Sequence, residues 1–537
     1  MKDYPLNPVP YFPTFPAYLR GLAQSYGPQS AVTYFDRHGR EDTHTYQQMA
    51  DSSLALAKSL ARESLSGGKH IAIVSENSYA YIQAFFGITC AGSVAVCVDV
   101  EQPDEVICQL IRHADATALF CSAAFRSICT ALTQDGVRLL SLEEDLPALI
   151  AAGAAAPDLP DPDPLSTAAI IYTSGTTSFA KPVMLSQKNI LQNASESVAV
   201  CDTQREIFSF LPFYHSYGLT GALLSSLVEG AHYWGNGDLR TMQRDLRLSN
   251  PETLIAVPLA VETLYKALWQ QLEHLGEAEN LRKLLKSRRR FRLLGTHKGE
   301  TELVAAKEKI LGRLRLIISG GAALDPEIAQ TLSDFGVLVL QGYGITECAP
   351  MIAVNRNDAY NFTSVGVVLP SYDLKFVDGE IWVKGPSVMQ GYYKDPEATA
   401  EALTDGYFHT GDLGSLDKDG FLQITGRKKN LIVLKNGKKL SPEKLESLLS
   451  QIPLVQEVLV YGAATGSSAD DVKPAATIYP NPELTAGLSS YEILGRLQRE
   501  IDKLNTGLPT YQQIQMVSIR EKEFEKTASK KIKRYLA

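Results

Sequence analysis

Eight short apolar runs, separated by helix-patterned segments, constrain this chain more than any other feature. They are HIAIVS (70–75), SVAVCVDV (93–100), TALFCS (117–122), AAIIYTS (168–174), EIFSFLP (206–212), TLIAVP (253–258), LRLIISG (314–320) and GVLVLQG (336–342). Each is short and bounded by turn or polar residues, so each reads as a strand buried on both faces. The segments between them, such as YAYIQAFFGITCAG and IRHADATAL, read as helices. Buried strands joined by helical crossovers imply an α/β fold of stacked, mostly parallel sheets. A length of 537 residues leaves room for one large compound domain and a satellite.

The texture changes after about residue 360. DLKFVDGEIWVKGPSVMQGYY has short alternating strands with D-G and K-G turns, the pattern of a small β-rich subdomain. From about 427 an α/β pattern returns with SPEKLESLLSQI, QEVLVYG and YEILGRLQREIDKL. The expected organisation is therefore a large N-terminal domain, 1–426, followed by a small C-terminal α/β domain, 427–537. The large domain divides into lobes of about 1–160 and 161–355 and a β subdomain of about 356–426. The Ala/Pro/Asp stretch 151–164 reads as the linker between lobes.

Charge and cysteine usage narrow the function classes. Lys and Arg total 52 against 60 Asp and Glu, so no global basic field exists to hold nucleic acid. Seven Cys with no CxxC spacing and nine scattered His argue against zinc and for reduced thiols in a cytoplasmic protein. The proline-rich start lacks a signal-peptide core, and no run is long enough to span a membrane. One local exception stands out: residues 282–298 hold eight Lys or Arg and no acid. Such a segment suits a solvated helix face, peripheral contact with acidic phospholipid, or an acidic carrier protein.

The chemistry starts at YTSGTTSFAKPVMLS (172–186), directly after an expected strand. Thr173, Ser174, Gly175, Thr176 and Thr177, followed by Lys181, offer hydroxyls, backbone N–H groups and an ammonium to a polyphosphate. It is not a Walker A loop. This stretch resembles the phosphate loop of the adenylate-forming superfamily, which includes acyl- and aryl-CoA synthetases, peptide-synthetase adenylation domains and luciferases. The resemblance recurs in order through LPFYHSYG (211–218), SGGAAL (319–324), QGYGITE (341–347), YFHTGDLGSLDKDGFLQITGRKKN (407–430) and KTASKKIKR (526–534). The overall texture is most similar to bacterial long-chain fatty acid–CoA ligases.

That resemblance implies a role for each matching residue. Thr346 would contact the α-phosphate of ATP, and Glu347 would hold Mg²⁺. Tyr343 would stack on adenine beside Gly320, Gly321, Ala322 and Gly344. Asp412 would accept the ribose hydroxyls, with Arg427 adding a contact. His215 would stand beside the path of the carboxylate and thioester. Lys531 would bridge carboxylate and α-phosphate in the transition state, and Lys429 would be the pivot on which the C-terminal domain moves. The implied reaction has two steps: a carboxylic acid and ATP give acyl-AMP and pyrophosphate, then a thiol displaces AMP. Two anions must approach, so positioning and charge neutralisation dominate such catalysis.

Four positions depart from the family pattern. Ser178, Pro182 and Lys530 replace glycines and Ala180 replaces a proline, which implies a stiffer phosphate loop with one fewer N–H donor. The PFYHSYGLTG stretch has no acid to pair with an α-ammonium, which disfavours amino acids and favours a neutral-tailed, fatty acid. Gly218, Gly221 and Ala222, in a wall running from Tyr214 to Leu224, would leave room for an alkyl chain. The acceptor is CoA, met by Lys and Arg near 435–444, or the same thiol on an acyl carrier protein met by 282–298. A stand-alone ligase loading an acyl or aryl acid onto a carrier is the alternative enzyme. A catalytically degenerate nucleotide-binding regulatory protein is the alternative of another class.

Overall fold

The structure is a computed structural model that describes residues 4–173, 180–291, 299–434, 438–464, 472–526 and 532–534. All eight apolar runs form strands, four in each of two large sheets. One sheet has seven strands in the order Gly391–Tyr392, Pro182–Ser186, Thr167–Tyr172, Val94–Cys97, His70–Val74, Ala118–Cys121 and Arg138–Ser141. The other has nine: Val367–Val368, Met351–Val354, Leu338–Gly344, Leu316–Ser319, Thr253–Ala256, Glu206–Ser209, His232–Gly235, Ser30–Phe35 and Glu41–Thr45. Inner pairings are parallel, and antiparallel pairs occur toward the edges.

The strands are near-continuously apolar because both faces are covered. The helices Tyr79–Cys90 and Gln187–Val200 contribute Phe85, Phe86, Leu191 and Val198 to one core that also takes Ile73 and Ile171 from the seven-stranded sheet and Ile207 and Ile255 from the nine-stranded one. Burial of each such side chain stabilises by roughly 1.5–3 kcal/mol. Gln187–Val200 starts at a capping box made by Ser186 and Asn189, immediately after its strand. It is buried on almost every side, and two of its asparagines reach backbone carbonyls elsewhere in the chain. Asn193 Nδ2 donates to the Cys348 and Met351 carbonyls at 3.1 and 2.8 Å, and Asn189 Nδ2 to Pro386 and Val388 at 2.6 and 3.1 Å. One internal helix thus ties together 348–351 and 386–388, two segments that adjoin Glu347.

Three expectations change. The helix read through IRHADATAL ends at His113; Asp115, at φ +50°, turns the chain into Ala118–Cys121. The boundary expected near 160 does not separate the sheets. Thr167–Tyr172 and Pro182–Ser186 join the strands of 70–141, whereas Ser30–Phe35 pairs with His232–Gly235. Gly391–Tyr392, expected in the β subdomain, pairs with Pro182–Ser186 in the seven-stranded sheet.

The β-rich region forms a five-stranded antiparallel sheet of Asp373–Val377, Glu380–Lys384, Leu403–Thr404, Tyr407–Leu416 and Leu422–Arg427. Asp378 and Gly379 both have positive φ and make its first hairpin turn, as Asp-Gly pairs do. After Arg427 a separate core of Leu445, Leu449, Val460, Ile478, Leu497 and Ile501 packs two helices, Pro442–Leu449 and Ser490–Thr506, on the strands Val455–Ala464, Val472–Pro480 and Met516–Ile519.

Candidate active site

The expected nucleotide residues converge from three directions. Strand Leu338–Gly344 carries Tyr343, and the short turn after it carries Thr346 and Glu347. The hairpin Tyr407–Leu416/Leu422–Arg427 places Asp412 directly across from Arg427. Arg427 Nε donates to Asp412 Oδ1 at 2.6 Å, and Tyr343 Oη donates to Oδ2 at 2.7 Å. Burial pushes the Tyr343 phenol far up, and the Asp412 charge adds to this, so the phenol stays a donor. Burial alone would lower Arg427, but Asp412 outweighs it and holds the guanidinium charged.

Glu347 lies beside a residue that sequence reasoning missed. Tyr392 Oη donates to Glu347 Oε1 at 2.9 Å, and Lys181 Nζ stands 4.6 Å from the centre of the same Tyr392 ring. Tyr392 therefore links the expected metal-binding carboxylate to the phosphate-loop lysine. In a single sequence nothing marks it, because its role comes from the pairing of Gly391–Tyr392 with Val183 and Met184. Burial raises the Glu347 pKa, against the hydrogen bond from Tyr392 and the charges of Arg427 and Lys181. One carboxylate cannot enclose a hard divalent cation, so phosphate oxygens and water must complete the set. Glu347 beside Lys181 fits a cation that arrives with a polyphosphate.

Ser174, Gly175, Thr176, Thr177 and Ser178 lie outside the described residues, as do Lys530 and Lys531. The loop ends are described: Thr173 N donates to the Lys181 carbonyl at 3.0 Å. Pro182, expected to stiffen the loop, is the first residue of a strand and sits opposite Tyr172. A proline is tolerated there, since its missing N–H falls where the ladder begins.

The acid side differs from expectation. Residues Tyr217–Leu224 form a π-helix, and its small residues do not enclose free space. A Cβ on Gly218 would fall 2.2 Å from the Pro212 carbonyl oxygen, and one on either Gly221 or Gly320 would fall 2.8 Å from the Tyr217 ring. Tyr217 thus occupies the gap between those two glycines, its hydroxyl donating to the Ile318 carbonyl at 3.1 Å. Gly321, at φ +89°, turns the chain away from the strand end. Ala322 follows, exposed. Gly344 is required by contact, as a Cβ would meet the Pro350 carbonyl at 2.3 Å. Ser216 Oγ donates to Thr346 Oγ1 at 3.2 Å, joining the acid-side and phosphate-side motifs.

His215 lies in this wall with its ring 4.9 Å from that of Tyr214. Its Nε2 has no hydrogen-bond partner among the described residues, and burial lowers its pKa against the opposing charge of Asp99. Lys429 follows Arg427 by two residues; burial lowers its pKa, and the charges of Arg427 and Lys181 act in the same direction. It therefore belongs to the same electrostatic neighbourhood.

The basic segment is largely engaged internally. Arg282 pairs with Glu273 at 2.5 Å, Lys283 with Glu279 at 2.7 Å, and Arg289 with Asp334 at 2.9 Å and with Glu327. Residues 292–298 lie outside the described ones. Among the described residues no helix is long and apolar enough to cross a membrane.

The site thus gathers the hydroxyls of Ser216 and Thr346, the cations Lys181 and Arg427, and the carboxylates Glu347 and Asp412. Comparison with known proteins identifies the family. The family described as AMP-binding enzyme matches residues 21–393, and the AMP-binding enzyme C-terminal domain matches 429–537. A long-chain-fatty-acid–CoA ligase of Mycobacterium bovis is 28% identical over 483 residues, 82% of this chain and 78% of that protein. One from Escherichia coli O6:H1 is 30% identical over 377 residues, 65% of this chain and 61% of that protein. The solved structure of the anthranilate CoA ligase AuaEII with anthranoyl-AMP superimposes with a TM-score of 0.79 at 20% identity, over 100% of this chain and 98% of that one. The chain belongs to the AMP-binding enzyme family. It is an AMP-forming ligase, an enzyme that activates a carboxylic acid with ATP to acyl-AMP and passes the acyl group to a thiol.

Proposed function

We propose that the acid is a fatty acid, that the thiol is CoA, and that ATP enters with Mg²⁺. The observation that carries this reading is the Ser216–Thr346 hydroxyl contact, which sets the uncharged acid-side wall against the phosphate-side turn. The fatty-acid–CoA ligase relatives support the same acid and acceptor. In this reading Lys181 and Thr173, with Ser174, Gly175, Thr176 and Thr177, receive the phosphates, and Thr346 orients the α-phosphate. Asp412, held by Tyr343 and Arg427, receives the ribose. Glu347 would hold Mg²⁺, which when bound would supply charge neutralisation at the phosphates. Lys531 stabilises the charge that develops between carboxylate and α-phosphate, and His215 borders the path of the acyl group. The reaction is cytoplasmic, in keeping with seven free and buried thiols.

We further propose that residues 427–537 move as a unit about Lys429, exchanging the adenylation face for the thioester-forming one. Replacing the pivot tests this: Lys429→Pro spares pyrophosphate release and blocks acyl-CoA formation. Equal loss in both steps overturns the pivot.

The test of the whole reading is mass spectrometry of products from protein, Mg·ATP, CoA and a pool of fatty, aryl and amino acids. Fatty acyl-CoA with AMP is the expected result. Acyl-AMP without acyl-CoA transfers the acceptor role to a carrier protein. No product from any acid reduces the chain to nucleotide binding.

A further inference from the structure

Lys526 and Arg534, on either side of Lys531, each pair with a carboxylate of the C-terminal unit. On the entering side Lys526 Nζ pairs with Glu457, and the Phe524 N–H donates to Glu457 Oε2 at 2.8 Å. On the leaving side Arg534 Nη2 pairs with Glu446, and its Nη1 donates to the Val460 carbonyl at 3.1 Å. The two ends also meet each other. Lys526 and Ile532 form an antiparallel bridge, and the Lys533 N–H donates to the Glu525 carbonyl at 2.7 Å.

Both carboxylates are rigidly placed. Glu457 and Val460 lie on the strand Val455–Ala464, and Glu446 projects from the helix Pro442–Leu449, where its Oε1 accepts the Val460 N–H at 2.7 Å. The Glu457 and Glu446 side chains are only 10% and 16% exposed. Burial at that level makes a charged contact stronger than a surface pair and makes loss of one partner costly. A solvated basic tail would show neither the burial nor the two-sided attachment.

We propose that Glu446 and Glu457 are positioning residues that hold the two ends of the segment bearing Lys531, and thereby set the rate of acyl-AMP formation. The proposal rests on the reading of Lys531 as the adenylation lysine. Neither glutamate touches substrate; each acts through the chain it anchors. An anchored lysine arrives at the reacting atoms in one geometry, whereas a loosened one samples many, and small misplacements of a catalytic group lower the rate steeply.

The experiment compares Glu446→Gln, Glu457→Gln and the charge exchange Glu446→Arg with Arg534→Glu in the full chain. Three readouts are used: pyrophosphate release, transfer to CoA from supplied acyl-AMP, and tryptic cleavage within 526–534. Each single variant is expected to lower kcat for pyrophosphate release by about tenfold to a hundredfold at nearly unchanged KM for ATP, to leave transfer within about twofold, and to speed tryptic cleavage. The exchange variant is expected to regain part of the lost kcat. Unchanged cleavage and kcat in both single variants overturn the proposal, as does equal slowing of both half-reactions, which marks a merely structural role. Lys531→Ala, measured in parallel, separates the two readings. If it keeps adenylation, the lysine assignment falls and the claim about rate falls with it. If it abolishes adenylation while the glutamate variants do not slow it, only the positioning claim falls.

Discussion

The two sides of the site are built on opposite plans. On the nucleotide side, charged and hydroxylic residues from separate strands hold one another: Tyr343 and Arg427 converge on Asp412, and Tyr392 joins Glu347 to Lys181. On the acid side the wall is a π-helix closed by its own Tyr217, with glycines that give way to that ring rather than to a ligand. The first side is held by hydrogen bonds and charge between distant strands, the second by the packing of one aromatic ring between two glycines.

The strongest way to break the comparison is to remove the charge that serves both sides. Lys531→Ala should reduce acyl-AMP formation by about 10²–10³-fold while ATP affinity stays nearly constant, since the lysine acts in the transition state. Retention of a tenth or more of the wild-type rate defeats it. A milder cut isolates the nucleotide side. Asp412→Asn removes the charge that Tyr343 and Arg427 share, and should raise KM for ATP about tenfold without altering the preference among acids. A changed acid preference would mean the two sides are not independent. Tyr217→Ala is the mirror experiment. It should shift the ratio of kcat/KM between a long and a short acid by about tenfold and leave KM for ATP alone. An unchanged ratio would show that Tyr217 is packing and not a boundary of the acid pocket.

A further effect, on stability and not on rate, lies away from both sides. Burial raises Glu229 to about 7, against two hydrogen bonds from Thr203. The folded pKa then exceeds the unfolded value of 4.5, so the native state binds more protons between those limits. Stability falls as pH rises from about 4.5 to 7, by on the order of 3 kcal/mol in total, and stays lower above that. Glu229→Gln should flatten this slope in urea titrations at pH 5 and pH 8. An identical slope in the variant assigns the effect to another group.

The nucleotide side was more legible in the sequence because its residues sit in short motifs whose chemistry is carried by residue type. Asp412 and Arg427 pair across a hairpin, and Arg427 stands close enough to Glu347 to act on its charge. Tyr392 was not legible. Its contact depends on a two-residue strand crossing from the β-rich region to the seven-stranded sheet, a long-range pairing without local signal. The room expected beside Gly218, Gly221 and Ala222 is absent for a related reason: a glycine in a packed wall as often admits a neighbouring side chain, here Tyr217 at Gly221. Strand identity survived throughout, since runs buried on both faces advertise themselves. The lobe boundary did not, because sheet membership is decided by pairing between segments up to two hundred residues apart.

That pairing has a consequence for how the polypeptide is made. Val32 aligns with Tyr233 in the nine-stranded sheet, so the strand Ser30–Phe35 waits for a partner 233 − 32 = 201 residues downstream. At roughly 5–20 residues per second on the ribosome, that interval is about 10–40 s. Throughout it the hairpin Ser30–Thr45 has two open edges, and that of Ser30–Phe35 lacks its partner. The other edge, Glu-Asp-Thr-His-Thr, is polar and largely exposed in the finished molecule and so a poor template for another chain, which leaves Ser30–Phe35 as the edge at risk during the wait.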